Sequence, residues 1–216
     1  MQSLLLEKQK KKKMADTLNE VRKITPTEYD IHPLIKSRWS PRAFDSKPLS
    51  EEDIHILLEA GRWAPSSNNL QPWRIIWGLK GSDTYNRIFD CLAEFNQGWV
   101  EGAPALWIGA IKTDMKEGKK ENFHALHDLG LFMGNVVNQA ESMGIAVHQM
   151  AGIDFEKAKK EFGFPDNYHV ATATAFGYYG GNPETLSEDL QEEELQTKRE
   201  RKPQAEFAFN GNFKKD

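Results

Sequence analysis

Residues 47–79, KPLSEEDIHILLEAGRWAPSSNNLQPWRIIWGL, read as a helix, a loop and a strand in that order. Ser50 can cap the helix, with Asp53 three residues on and two glutamates in the first turn, where the helix dipole favours negative charge. Leu49 and Ile54 stand at the two positions of a hydrophobic staple. Ile54, Leu57, Leu58 and Gly61 recur at the spacing of one buried helix face. Two prolines, two serines and two asparagines in APSSNNLQPW then break the helix. WRIIWGL, short and apolar, follows as a strand.

The same alternation continues outward. A helix is predicted around TYNRIFDCLAEF, a loop over NQGWVEGAP, and a strand at ALWIGAI, whose nearly unbroken apolar character calls for burial on both faces. The longest helix should begin near Ala125 and end near Gly144, with Leu126, Leu129, Met133, Val136, Val137, Ala140 and Met143 keeping its apolar face in register. Gly130 and Gly134, one turn apart, leave a notch where a second helix backbone can approach, which reads as core or subunit interface. IAVHQM is a further strand, Asp154 caps a helix over FEKAKKEFG, and HVATATAFGYYG is the last core strand. Alternating helices and strands imply a sheet covered by helices on both faces. Beyond Gly181 the chain turns acidic, then basic, then aromatic, and SEDLQEEEL reads as a solvated helix face. Phe207, Phe209 and Phe213 argue that this tail folds against another surface.

Composition narrows the function classes. With 216 residues, 39% hydrophobic and 28% charged, the chain suits one globular domain, expected over 31–216 after a mobile or weakly ordered extension over 1–30. The net charge of -4 gives no reason to expect nucleic-acid binding. The opening MQSLLLEKQKKKKM lacks the apolar run of a secretory signal, and no stretch approaches the roughly 20 apolar residues of a membrane span. Lys8–Lys13 read as a solvated tail, and the patterned sequence begins after Met14. Cys91 is the sole cysteine, which rules out an intrachain disulfide and suits a reducing cytoplasm. No metal site is expected: His124 and His127 lack a third ligand.

The polar loops hold an unusual set of groups. Arg38, Arg42, Arg199, Arg201 and Lys202 bring positive charge, Ser40, Ser66 and Ser67 bring hydroxyls, and Asn69, Gln71 and Asn96 bring amides. There is no cysteine nucleophile, carboxylate pair or Ser-His-Asp set, and neither a G-x-G-x-x-G nor a P-loop. Such groups suit a phosphorylated, hydrogen-bonding planar molecule that itself carries the hard chemistry.

Five segments in order, SRWSPRAFDSKPLSEEDI, EAGRWAPSSNNLQPWR, NQGWVEGAPAL, DLGLFMGNVVNQAESMGIAVHQMAGID and RKPQAEFAFNG, give the chain a resemblance to the nitroreductase family over roughly residues 32–213. That resemblance implies an α+β, three-layer α-β-α fold, with a central mixed sheet flanked by helices and a C-terminal tail embracing the partner subunit of a homodimer. It implies FMN as cofactor, NADH or NADPH as hydride donor, and a small electron-poor acceptor such as a nitroaromatic or quinone, in ping-pong order. By match, Arg38 would bind the flavin phosphate, with Trp39 and Ser40 beside it, and Arg42 would face the N1/O2 edge of the ring. Pro65, Ser66, Ser67 and Asn69 would wrap the neighbouring subunit's flavin, and Gln71 and Asn96 would add amide contacts. Met150, Ala151 and Gly152 would pass the flavin N5 with their backbone, at a place where many members carry an acidic residue instead of Ala151. Arg199 and Arg201 match a C-terminal phosphate-binding pair. No side chain is obligatory as acid or base.

Blander readings stand beside these. Pro72-Trp73 reads as packing, His148 as a structural hydrogen bond rather than a proton donor to substrate, and Cys91 as a small buried apolar residue within its helix. A flavin-binding carrier or sensor without turnover is the alternative function; a module binding anionic polymers through Lys8–Lys13 is a third.

Overall fold

The computed structural model describes residues 23, 25–115 and 120–213; the Lys8–Lys13 block and most of the 1–30 extension lie outside the described residues. In chain order the helices and strands are α1 (Pro33–Ser37), α2 (Glu51–Arg62), β1 (Trp73–Leu79), α3 (Asp83–Asp90), α4 (Glu94–Val100), β2 (Ala105–Lys112), α5 (Ala125–Ser142), β3 (Ile145–Met150), α6 (Phe155–Glu161), β4 (Tyr168–Tyr178) and α7 (Glu188–Leu195).

The strands form one sheet in the order β1-β2-β4-β3. All three ladders are antiparallel, so the mixed sheet implied by the resemblance is not formed among the described residues. The connections explain it: Leu79 pairs with Ala105, so the chain leaves β1 and re-enters β2 at the same end of the sheet.

Two apolar clusters, one on each face, make the three layers. On β2, Ala105, Trp107 and Ile111 face one cluster and Leu106, Ile108 and Ala110 the other, which is the period-2 consequence of the pleat. α2 and α5 cover the Trp107 face with Ile54, Leu57, Leu129, Phe132, Met133 and Val136. α3, α4, α6 and α7 cover the other with Tyr85, Ile88, Trp99, Ala158 and Leu190. Between Gly109 and Ala110 the pairing on β4 skips from Thr172 to Val170, a bulge that restores Val170 to the same face as Ala173.

α2 begins as its sequence requires: the Ser50 side chain accepts from Asp53 N, and the Asp53 carboxylate accepts from Ser50 N at 2.8 Å. It crosses α5 closely at Gly61, where an added Cβ would collide with the Phe132 ring. The outer notch on α5 is different. Among the described residues, nothing beyond the helix's own adjoining turns lies within 4 Å of a Cβ placed on Gly130 or Gly134.

One expected helix is two. α3 stops at Asp90, Cys91 caps it and is buried, and the expected loop NQGWVEGAP instead carries most of α4, with Asn96, Trp99 and Val100 buried. Long-range bonds hold the break: Ala93 N donates to Gly152 O at 3.0 Å, and Asp154 N to Cys91 O at 2.8 Å.

Candidate functional site

The arginine segment lies across the end of the sheet, tied down from three directions. His148, on β3, donates from Nδ1 to Pro41 O at 2.9 Å. Tyr179, just past β4, donates to Glu141 Oε2 at 2.7 Å and stacks on Trp39 with ring centroids 5.8 Å apart. From α7, the Glu194 carboxylate accepts from Arg42 N at 3.0 Å and from Ala43 N at 3.1 Å. SEDLQEEEL is therefore not a solvated face throughout: Leu190 and Glu194 are buried, because they stand one helical turn apart facing this segment.

Within the segment, Arg38 Nη1 donates to Ser40 Oγ at 3.0 Å. Arg199 is held by Thr25 Oγ1 at 2.7 Å and Lys36 O at 3.3 Å. Partial burial first, then the Arg38 and Arg201 guanidiniums, push its pKa below the ordinary arginine value. Three cations thus face one region without a carboxylate bonded to any of them among the described contacts, which is an environment for an anion. Arg42 is engaged differently: its Nη1 meets Glu193 Oε2 at 2.7 Å, while its Nε is buried without a partner among the described residues.

The α4 break is linked to this segment through Trp99 and His148. Asn96 Nδ2 donates to Gly152 O at 2.8 Å, and Asn96 Oδ1 accepts from Trp99 Nε1 at 3.1 Å. The Trp99 ring lies 4.6 Å from His148. A Cβ on Gly152 would strike Asn96 Nδ2, so the stretch Met150-Ala151-Gly152 passes where only glycine fits. Burial first, and then the charges of Arg42 and Arg38, hold the His148 pKa below its ordinary value, against the opposing hydrogen bonds to Pro41 and Ser40 backbone. His148 makes the structural hydrogen bond that the blander reading expected.

The serine-asparagine loop is elsewhere. Ser66 Oγ accepts from Gln71 N at 3.0 Å, Gln71 Nε2 donates to Asn69 Oδ1 at 3.1 Å, and Asn68, Asn69 and Gln71 all have positive φ. Non-glycine residues held in this sparsely populated region cost of order 1–3 kcal/mol each and gather at binding loops. Ser67 N donates to both oxygens of Asp128, a carboxylate 1% exposed at the start of α5. This loop enters β1 while Met150–Gly152 leave β3, and those strands are opposite edges of the sheet. Three strand spacings, about 14 Å, separate them.

The structure therefore brings together Arg38, Trp39, Ser40, Arg42, Asn96, Met150, Ala151, Gly152 and Arg199, with Arg201 exposed nearby, and sets Pro65, Ser66, Ser67, Asn69 and Gln71 apart. Two hollows flank the arginine segment. One of about 660 Å³ is lined by Trp39, Tyr179, Lys36 and Glu141, the other, about 940 Å³, by Arg42, Trp99, Lys80 and Gly181. Neither is lined by Arg38, Asn96 or Gly152. Sequence reading missed Asp128, Glu193 and Glu194. The signal for two of them was available: Asp128 shares the buried register of Ala125 and Phe132, and Glu194 that of Leu190.

The donor set suits the phosphate of a group such as FMN: the Arg38 guanidinium beside the Ser40 hydroxyl, and the Arg199 guanidinium held by Thr25 and the Lys36 carbonyl. Known proteins point the same way. A solved structure described as an oxidoreductase containing FMN is 32% identical and superposes with a TM-score of 0.82, over 88% of this chain and 96% of the other. An NADH dehydrogenase of Thermus thermophilus is 24% identical over 172 residues, covering 65% of this chain and 82% of its own. The major NAD(P)H-flavin oxidoreductase of Aliivibrio fischeri is 37% identical over 88 residues, 38% of this chain and 40% of its own. The nitroreductase family profile matches residues 35–178, from α1 to the end of β4, a span that holds the arginine segment, the serine-asparagine loop and the Asn96–Gly152 contact. With that match over the elements that build the site, the chain belongs to the nitroreductase family.

Proposed function

We propose that this protein is an FMN-dependent NAD(P)H oxidoreductase, working as a homodimer, that reduces small electron-poor acceptors such as nitroaromatics or quinones. When bound, FMN supplies the hydride chemistry at its N5. The chain's own groups bind, orient and set charge. Arg38, Arg199 and Arg201 hold the phosphate, with Ser40 beside them. Arg42 would present positive charge at the ring's N1/O2 edge, where it would favour the reduced, negatively charged form. Met150, Ala151 and Gly152 offer backbone to the N5 side, and Asn96 locks that backbone in place. In this reading no side chain is obligatory as an acid or base. With FMN held in this way, a stacked site would have room for one planar partner at a time, so donor and acceptor would take turns in ping-pong order.

The observation that carries this reading is the Arg38–Ser40 pair together with Arg199, cations with no carboxylate bonded to them among the described residues. Dimerisation rests on separate ground. Pro65, Ser66, Ser67, Asn69 and Gln71 lie across the sheet from the cations, and a second copy would bring its own loop to them. The open notch at Gly130 and Gly134, and Phe123, Leu126, Phe207 and Phe213 at 56–82% exposure, are apolar surface that a partner would cover. Cys91, buried and single, suits a reducing cytoplasm, and no helix among the described residues is long and apolar enough to cross a membrane. The visible spectrum of the purified protein, followed by NADH or NADPH oxidation with a quinone, tests the proposal. A yellow protein that bleaches with NAD(P)H and recovers with the quinone is expected. A protein that binds FMN but never bleaches is the carrier or sensor; no flavin affinity overturns both.

A further inference from the structure

The acidic end of α7 grips Arg42 twice, with opposite consequences. Glu194 is buried and holds the main chain through Arg42 N and Ala43 N. The Glu193 side chain, 62% exposed, meets the guanidinium, Oε2 to Nη1 at 2.7 Å, and the Glu193 carbonyl accepts from Lys23 Nζ at 3.2 Å. The Arg42 side chain itself is 21% exposed, so this pair is screened less than a surface pair. A guanidinium carries five N–H donors in a fixed fork and can serve two acceptors at once. Here Nη1 is taken by Glu193, while Nε is buried with no partner among the described residues. The bond to Glu193 uses Nη1, and a guanidinium has further donors for a second acceptor.

That arrangement gives Glu193 a role distinct from holding the fold. Resting on the FMN reading above, we propose that Glu193 is a positioning residue that sets the flavin's reduction potential through Arg42. Its carboxylate orients the guanidinium fork and offsets part of the positive charge presented to the ring edge. Reduction adds negative charge at that edge, so a partly neutralised arginine favours the reduced state less than a free one. Glu193 thus keeps the potential low, which makes the reduced protein a stronger donor to its acceptor.

The test is anaerobic redox titration of the FMN-loaded full-length protein against reference dyes, for wild type, Glu193→Gln, Arg42→Ala and the double variant. Glu193→Gln should shift the balance toward reduced FMN roughly tenfold, which is about 30 mV upward for a two-electron couple. Its affinity for oxidised FMN should stay close to wild type, since the phosphate contacts are untouched. Arg42→Ala should move the potential downward, and in that background Glu193→Gln should have little further effect. An unchanged or lowered potential in Glu193→Gln overturns the proposal, and so does an equal upward shift in both backgrounds, which would make Glu193 a general surface charge. If wild type takes up no FMN, the cofactor reading itself fails and takes this proposal with it; that outcome appears before any titration begins.

Discussion

Replacing Glu194 with alanine is the sharpest test of how the site is held. The carboxylate accepts from two backbone N–H groups at 3.0–3.1 Å, and no other acceptor for Arg42 N or Ala43 N is found among the described residues. Leaving a buried donor unsatisfied costs about 1–3 kcal/mol, so two would cost about 2–6 kcal/mol. Arg42 N is only partly buried and water can reach it, which puts the loss in the lower half of that range, about 2–4 kcal/mol. For a chain of this size each kcal/mol moves the Tm by about 2–4 °C, so Glu194→Ala should melt about 4–16 °C lower. It should also bind FMN more weakly, because the arginine segment loses its anchor. Glu194→Gln keeps one acceptor oxygen and should fall between the two.

The pH profile sharpens this further. Burial raises the Glu194 carboxyl above its ordinary 4.5, outweighing the two backbone hydrogen bonds that oppose it. The folded state then holds the proton more tightly than the unfolded state. The stability from this group is fully present below the unfolded value and is lost as pH rises through the folded one. Wild type should therefore lose part of its stability on leaving the acid range, and Glu194→Gln, which cannot ionise, should not. Thermal melts of the three proteins across the acid to neutral range, each with an FMN titration, read both effects. A Glu194→Ala protein that melts and binds FMN like wild type would refute the anchoring argument.

Other expectations are more local. Arg38→Ala removes a charge-assisted contact of about 1.5–3 kcal/mol, so FMN affinity by fluorescence quenching should fall roughly 10- to 150-fold, while turnover at saturating FMN stays near wild type. Gly152→Ala drives a methyl group into Asn96 Nδ2 and should weaken both the α4 break and FMN binding, visible as a lower Tm and a weaker FMN titration. His148 has a depressed pKa, so its contribution to stability is present above 6.5 and lost as pH falls through the folded value. His148→Gln should flatten that acid-side loss in thermal melts below pH 6.5.

Much of the fold was legible locally. The Ser50–Asp53 capping box, the strand at Trp73–Leu79 and the two-faced burial of β2 follow from signals within a few residues, and each formed where its pattern stood. The loop groups Arg38, Ser40, Asn96 and Arg199 were visible by type, since cations, hydroxyls and amides gathered in turns signal an anion-binding, hydrogen-bonding site.

What those signals could not carry was distance across the chain. The helix pattern over 84–95 is continuous by periodicity, yet it breaks at Cys91 because Gly152 O and Asp154 N, some sixty residues on, bond to that turn. Glu194 looked like one more solvated acid until the arginine segment came to lie against α7. The separation of the serine-asparagine loop from the cations is a property of strand order, and β1 and β3 become opposite edges only when the sheet assembles. Periodicity and capping are short-range effects and fix each element alone. Which element lies beside which is set by burying two apolar faces at once, and the pairing of buried polar groups follows from that packing.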